Sequence, residues 1–408
     1  MVDVKREGVI LEATGREFEN QAVLNPGCVQ KGDTLHLFYR AVRQGNYSSI
    51  GYCRLDGPSE VVERAEEPVL VPEFRYERHG IEDPRVVYID GIYHMFYTAY
   101  DGKNAVAAYA TSKNLRDFTK KGILTPKMSY DDAESLFQQS NIKDRYTLFE
   151  SYYENVVAKD VLLWEKDAFL FPKRINGKLA LIHRILPDIQ VIYTEELEEL
   201  TLDYWKEYLK NLSSYVVLDA KYWFESRNIG GGCSPIETDK GWLLIYHAVE
   251  DSNRGRIYHA GAALLDKKDP TKVLGHLREP LFSPREPWEK EGDVSNVVFP
   301  TGTAYFDDRL YIYYGAADKR IAAASLDVEE LLDELIIDAA PTHIWPEVGN
   351  TAGQIFRLAK KKPVDISQLK EALKKEDRLI WMAIGWLARE GKIEVQKSRD
   401  GINLKVQS

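Results

Sequence analysis

One phrase of sequence recurs five times in this chain and governs what it can fold into. A turn leads into a strand of alternating large apolar residues whose far end becomes polar. It reads "GDTLHLFYRAVR" from Gly32, "DGIYHMFYTAYDG" from Asp90, "NGKLALIHRI" from Asn176, "KGWLLIYHAVE" from Lys240 and "DDRLYIYYGAAD" from Asp307. Period-two alternation behind Gly, Asn or Asp turn chemistry is the signature of a hairpin strand. A second, small-residue-rich strand follows each copy: "IGYCRLDG", "AVAAYATSKNLRDF", "IQVIYTEELEEL", "HAGAALLDKKDP" and "IAAASLDVEEL". Such a repeat predicts an all-β five-bladed β-propeller with four-stranded blades; a β-sandwich is the alternative. Arg40, Tyr97, Arg184, His247 and Asp318 fall at matching polar ends. In a propeller those ends converge on the central channel, so the ring predicts a ligand pocket.

The repeat is interrupted once and stops once. "LEELTLDYWKEYLKNL", residues 197–212, sets Leu197, Leu200, Tyr204 and Tyr208 at helical spacing and reads as an inserted helix that props the sheet. Beyond Asp318 the strand signals end, and "LDVEELLDELIIDAAP" reads as a connecting helix. The predicted boundaries are a propeller over 1–325, a linking helix over 326–350 and a small α+β domain over 351–408. Charge changes sign there too. From Arg357 to Ser408 there are 13 Lys+Arg and 7 Asp+Glu, a net of +6; the whole chain carries −10, which leaves −16 for the rest.

The basic tail reads as a winged helix-turn-helix. "TAGQIFRLAKKK", "DISQLKEALK" with Asp365 and Ser367 as caps, and "RLIWMAIGWLAREG" stopped by Gly391 are three helices. "KIEVQKSRDGINLKVQS" is a hairpin about Asp400-Gly401. The tail resembles a small bacterial and archaeal winged-helix family recognised by its "AIGWLARE" core. Its charge is compatible with DNA, but the third helix offers Trp381, Met382, Ile384 and Trp386, which do not read bases. Protein–protein contact or a homo-oligomer is therefore favoured over DNA. Cys28, Cys53 and Cys233 are odd in number and scattered, and no Cys/His cluster has zinc spacing, so neither a disulfide framework nor a metal is expected. No apolar run is of bilayer-spanning length and the first residues lack a secretory core, which predicts a cytoplasmic protein with no membrane partner.

"GIEDPR", from Gly80, crowds Glu82, Asp83 and Arg85 around Pro84 where a strand begins. Joined to it are "NPG" at Asn25, "YRA" at Tyr39, "LFPKRINGK" at Leu170, "IGGGCSPIETDKGWLLIYH" at Ile229, "VVFPTG" at Val297 and "YYGAAD" at Tyr313. Over roughly residues 20–320 this set resembles glycoside hydrolase family 130. The resemblance implies a five-bladed propeller acting on β-mannoside oligosaccharides with inversion, mostly by phosphorolysis and sometimes by hydrolysis. Inorganic phosphate would be a co-substrate, with no other cofactor.

The resemblance also implies roles. Asp83 is the family's catalytic acid; a carboxyl that donates a proton near neutral pH needs burial or a neighbouring carboxylate, which a closed channel and Glu82 are expected to supply. Asn25, Arg40, Glu82, Arg85, Arg184, Glu225 and Asp318 are the expected sugar-binding residues. Lys166, Asp167, Asn228 and His247 are the expected phosphate site, with Lys173 and Arg174 near in sequence. A phosphate dianion needs several charged donors, and here the chain departs from the family: Lys166-Asp167 replaces an Arg-Asn pair, and Asn228, beside Arg227, replaces a lysine. Two enzymes follow, a β-mannoside phosphorylase or a hydrolase of the same bond with Glu225 or Glu250 as base. A non-catalytic sugar sensor acting through the winged helix is a third reading, and the intact acid argues against it.

Overall fold

The computed structural model describes residues 2–137, 139–140, 142, 146, 161–253, 255–339, 345–389, 391–398 and 401–406. The chain divides into two compact units, Met1–Asp338 and Ala339–Ser408.

The first unit is mainly antiparallel β. Strand β1 (Lys5–Leu11) is followed by a meander of β2 (Ala22–Lys31), β3 (Thr34–Arg43), β4 (Tyr47–Asp56) and β5 (Glu60–Arg64). A second meander holds β6 (Gly80–Ile89), β7 (Ile92–Tyr100), β8 (Ala105–Ser112) and β9 (Thr119–Ile123). One parallel pair, Ser48 with Gly80, joins these two into a single eight-stranded sheet. The third group is β10 (Lys166–Leu170), β11 (Leu179–Arg184), β12 (Ile189–Thr194) and β13 (Val216–Leu218). The fourth is β14 (Asn228–Gly231), β16 (Trp242–Ser252), β17 (Gly255–Leu265) and β18 (Val273–His276), with β15 (Ile236–Glu237) beside β16. The fifth runs β19 (Val298–Phe306), β20 (Arg309–Ala316), β21 (Arg320–Leu326), and β1 returns to pair with β21. The strand that opens the chain therefore completes its last sheet.

The five groups share one register. Leu24 faces Arg40, Glu82 faces Thr98, Lys166 faces Arg184, Gly230 faces His247 and Phe299 faces Gly315. Immediately after these pairs β2, β6 and β10 slip by a bulge, and β19 slips one pair later, after Pro300. Asn25 (φ 50°), Asp83 (φ 53°) and Asp167 (φ 57°) sit in left-handed backbone there. Asn and Asp are the side-chain-bearing residues that best tolerate that region, and a bulge re-aims the side chain it carries.

Behind the register lies a repeated buried acid. Fully buried Glu19, Glu77, Glu225 and Glu289 accept from the hydroxyls of Tyr39, Tyr97, Tyr246 and Tyr314 at 2.8, 2.8, 2.5 and 2.7 Å. In the third group Glu165 meets His183 Nδ1 at 3.1 Å, and His183 Nε2 meets the Tyr208 hydroxyl at 2.7 Å. Carboxylates are tolerated at such depth only when their oxygens are satisfied. Tyr97, expected at the channel, belongs to this latch instead. The position in register with Arg40 is Thr98, one residue on.

Helix α1 (Tyr130–Phe137) precedes the third sheet. The helix expected over 197–212 forms as a 3-10 turn, then α2 (Leu202–Leu209), then a second 3-10 turn. Thr201 caps α2 by accepting from Tyr204 N, and Trp205, Tyr208 and Leu209 are buried. After the short α3 (Pro287–Lys290), α4 (Val328–Ala339) buries Leu331, Leu332 and Leu335 in the core of the last sheet. That part of the expected linker over 326–350 is core of the first unit. Residues 340–344 lie outside the described residues, and the rest opens the second unit.

The second unit comprises α5 (Trp345–Lys361), β22 (Val364–Asp365), α6 (Ile366–Leu373), α7 (Asp377–Arg389), β23 (Ile393–Ser398) and β24 (Gly401–Val406). Its strands order β22-β24-β23, the winged-helix pattern. Asp365 caps α6 by accepting from Ser367 N at 2.7 Å; the hairpin residue Asp400 lies outside the described residues. On α7, Ile384 is buried whereas Trp381 and Trp386 are each 41% exposed. No described helix is long and apolar enough to cross a membrane.

Candidate active site

The bulges bring Asn25, Asp83 and Asp167 together with Arg40, Arg184 and His247 around a cavity of 330 Å³. Asn25 Nδ2 donates to Asp83 Oδ1 at 2.8 Å. Arg40 reaches the same oxygen at 4.0 Å, pairs with Glu82 Oε1 at 2.9 Å and donates to Ser48 Oγ at 2.9 Å. Lys166 Nζ lies 3.4 Å from Glu82 Oε2. Burial alone would raise the Glu82 carboxyl, but Arg40 and Lys166 outweigh it and hold the group below its usual range. Glu82 is thus a charged anchor for two cations, and it stands behind the cavity lining. Arg85, 1% exposed, also stands behind: it donates to Gly232 O (2.6 Å) and to Asp83 O (2.8 Å) and so holds the bulge that aims Asp83.

Cations dominate the other side. Arg184 lies 2.9 Å from Asp167 Oδ2, and Arg85 lies 3.6 Å from Asp167 Oδ1. Burial opposes the Asp167 charge, yet Arg184, His247 and Arg85 keep its carboxyl below the usual range. His247 Nε2 is 3.3 Å from Arg184 NH1, so that nitrogen accepts and Nδ1 carries the hydrogen. Burial pushes the His247 imidazole down to about 3, with Asp167 only partly offsetting it and Arg184 and Arg85 adding to it. The ring is neutral at working pH, stacks on Phe299 at 4.2 Å, and leaves Nδ1 buried without a partner. Two glycines make this approach possible. A Cβ on Gly230 would lie 2.4 Å from His247 Cε1, and one on Gly315 would lie 2.0 Å from Asn25 Oδ1, which accounts for glycine in "IGGG" and "YYGAAD".

Asp318 lies in the turn after β20 rather than on the strand, with φ 49°. With Arg40 it lines both this cavity and a neighbouring one of 680 Å³ that reaches Gln21, Asn46 and Asp293. Burial raises its carboxyl to about 6; Arg40 opposes that, while Asp83, Asp293 and Glu82 reinforce it.

Some expectations are corrected by position. Glu225 does not line the cavity: it is fully buried and accepts from Lys221 N, Tyr222 N and the Tyr246 hydroxyl beside His276, the fourth copy of the latch. Its sequence signal, an acid six residues before the residue that follows the shared register pair (Gly231 here), is common to Glu19 before Asn25 and Glu77 before Asp83. Glu250 pairs with His259 at 3.2 Å away from the cavity lining. Lys173 pairs with Glu237, and Arg174 with Asp90, both exposed.

Asn228 and Arg227 do line the cavity, as do Trp164, Arg256 and Tyr258, which the sequence reading missed. Arg227 and Arg256 share Asp251, at 3.1 and 3.8 Å. Arg256 and Tyr258 are two apart at the start of β17 and therefore on one face; strand alternation in "GRIYH" is the signal that finds them. Two chemistries line the cavity. One, with Asn25, Arg40, Asp83 and Asp318, offers the mixed donors and acceptors that hydroxyls need. The other gathers Arg184, Arg227 and Arg256 against Asp167 and Asp251, an excess of guanidinium suited to an anion.

A family model described as beta-1,4-mannooligosaccharide phosphorylase matches residues 7–336, and a winged helix-turn-helix model matches 343–405. The 1,2-beta-oligomannan phosphorylase of Thermoanaerobacter sp. (strain X514) is 34% identical over 345 residues, covering 81% of this chain and 99% of that one. Beta-1,2-mannobiose phosphorylase from Listeria innocua, solved with beta-1,2-mannobiose, has the same fold at a TM-score of 0.62 and 22% identity, over 82% of this chain and 99% of that one. A structure from work on GH130 glycoside hydrolases that target beta-1,2 mannosidic linkages in Candida mannan gives a TM-score of 0.61 at 22% identity, over 80% and 94%.

Proposed function

Because the chain belongs to glycoside hydrolase family 130, we propose that it is an inverting β-mannoside phosphorylase with Asp83 as its proton donor. The five meanders are read as propeller blades around the cavity, supported by their common register and by β1 completing the last sheet. The observation that carries the reading is the pair of chemistries in the cavity lining. A mannosyl unit sits against Asn25, Arg40, Asp83 and Asp318, and the remaining oligosaccharide extends toward Gln21 and Asp293. Phosphate sits against Arg184, Arg227 and Arg256, with Asn228 and the His247 Nδ1–H as neutral donors and Lys166 at the boundary. The bond from C1 to the leaving sugar breaks, its electron pair staying on the leaving oxygen, which takes the Asp83 proton directly or through a sugar hydroxyl. A phosphate oxygen supplies the new bond from the opposite face, and mannose 1-phosphate leaves with inverted configuration. No cofactor enters this scheme beyond phosphate as co-substrate. The names of the relatives favour β-1,2-linked substrates.

An inverting hydrolase needs a carboxylate base opposite the acid. Glu225 is consumed by the latch, Glu250 is elsewhere, and Asp167 is held too acidic by its cations to serve well. Phosphorolysis is therefore the better fit. Incubation with β-1,2-mannobiose should yield mannose 1-phosphate only when phosphate is present; mannose released at one rate with and without phosphate would make the chain a hydrolase. Arg256→Gln should raise the KM for phosphate about tenfold, the worth of one charge-assisted contact, and that for mannobiose far less. For the tail, exposed Trp381 and Trp386 support self-association over DNA binding.

A further inference from the structure

The insertion between β12 and β13 builds a second cavity that the reaction does not use. It has a volume of 750 Å³, against 330 Å³ for the active-site cavity. One wall is α2 with its cap Thr201 and Tyr215 of the following 3-10 turn; the other is β12 at Ile192 and Tyr193 with the turn between β10 and β11, around Asn176 and Lys178. The active site uses the opposite ends of the same strands, Lys166 and Arg184. Arg184 is six residues along from Lys178, about 20 Å away at ~3.3 Å per strand residue.

The lining has a definite chemistry. Along α2 and its exit, Asp203, Glu207 and Asn211 are spaced by four and make a polar ladder; Tyr204 and Tyr208 make an aromatic one beside it. Each step advances ~6 Å, so the groove carries hydrogen-bonding groups at regular intervals beside the half-buried ring of Tyr204, with Tyr208 buried below it. Tyr208 stands 4.8 Å from Tyr215, ring to ring, at 35°. The rings are fixed in advance: the Tyr204 hydroxyl donates to Tyr193 O, and the Tyr208 hydroxyl meets His183 Nε2 at 2.7 Å. Asp203 and Glu207 are exposed, and among the described residues their ion pairs are with Lys206 and Lys210. Rigid aromatic faces rimmed by carboxylates and amides suit a neutral, hydroxyl-rich ligand. Among the described residues a single lysine, Lys178, lines the groove, which disfavours a phosphate or a nucleotide, and the polar rim disfavours a lipid.

We infer that this groove is an auxiliary saccharide-binding site that holds a β-mannosyl chain of repeating units away from the catalytic cavity. The choice of mannose rests on the function proposed above. Held there, a long substrate stays bound between successive cleavages at its other end, or a neighbouring chain is retained nearby.

Calorimetric titration of the full chain carrying Asp83→Asn, which spares the ligand, with β-1,2-linked mannotetraose tests the idea. Two binding events are expected. Asp203→Ala with Glu207→Ala, both exposed and outside the core, should weaken one event by about tenfold or more, as loss of charged hydrogen-bond partners does. With Asp83 intact, the same pair of changes should leave kcat and KM for mannobiose unaltered and raise the apparent KM for long mannan several-fold. A single event insensitive to the rim changes would overturn the groove and leave the active-site reading standing. A single event abolished by them would uphold the groove and sink the mannoside reading of the active site. Two events that both survive the rim changes would also overturn the groove.

Discussion

Replacing Asp83 by asparagine separates chemistry from architecture at a single atom. Asparagine accepts the left-handed backbone that Asp83 adopts at φ 53°. Its amide oxygen can still accept from Asn25 Nδ2, now at 2.8 Å, and Arg85 still donates to the unchanged carbonyl at 2.8 Å. Arg40 loses a carboxylate 4.0 Å away but keeps Glu82 at 2.9 Å. The fold should therefore lose no more than about 1 kcal/mol, within the range of a surface hydrogen bond. Turnover should fall much further, because the amide has no acidic proton. General acid catalysis is worth roughly 10²–10⁴ in rate, or about 3–5 kcal/mol of barrier. Initial rates of mannose 1-phosphate formation from β-1,2-mannobiose at saturating phosphate, with kcat and KM resolved, measure the loss, and a thermal melt checks the fold. An unchanged melt with kcat within fivefold of the parent would refute the assignment of Asp83.

Three further outcomes follow from other parts of the structure. Glu225→Ala leaves the Tyr246 hydroxyl and the amides of Lys221 and Tyr222 without their acceptor; at about 1–3 kcal/mol each and less than additively, it should cost about 3–5 kcal/mol in denaturant unfolding while the folded fraction keeps its KM values. Loss of activity at unchanged stability would instead restore Glu225 as a base. The Asp318 carboxyl, raised to about 6 chiefly by burial, is protonated below that pH and charged above it, so kcat/KM should decline as pH drops through about 6 if the charged form accepts sugar hydroxyls. Asp318→Asn should flatten that limb, and profiles that superimpose after scaling would exclude it. The stability sign is opposite to that of a salt-bridged acid: the folded state holds this proton more tightly, so the contribution is full below about 4 and is lost as pH rises through about 6. Truncation after Ala339 should leave a folded, active first unit, since α4 is the last element in its core; light scattering should show a smaller assembly, whereas an insoluble product would make the tail part of the enzyme.

Much of the architecture is local and was therefore legible. The turn-and-alternation phrase marks β3, β7, β11, β16 and β20, because a strand's period of two and a hairpin's turn chemistry are properties of neighbouring residues. The tail's helices and the Asp365 cap are local in the same sense. The cavity end was legible only where backbone geometry selected the residue: Asn25, Asp83 and Asp167 occupy bulges with positive φ, and two of the three stand beside proline in "NPG" and "DPR". What the chain order concealed was which side of each strand end faces the cavity. Tyr97 lies one residue from the register and turns inward to a latch. Glu225 looks like a base in sequence but is consumed by Tyr246, 21 residues on. Arg256 and Tyr258 reach the cavity lining only because the β16–β17 hairpin folds Asp251 against Arg256. Charge neutralisation, burial and the sharing of one carboxylate by two cations are set by groups far apart in the chain. For that reason tertiary packing, rather than composition or spacing, decided which acids line the cavity and which ones hold the sheets together.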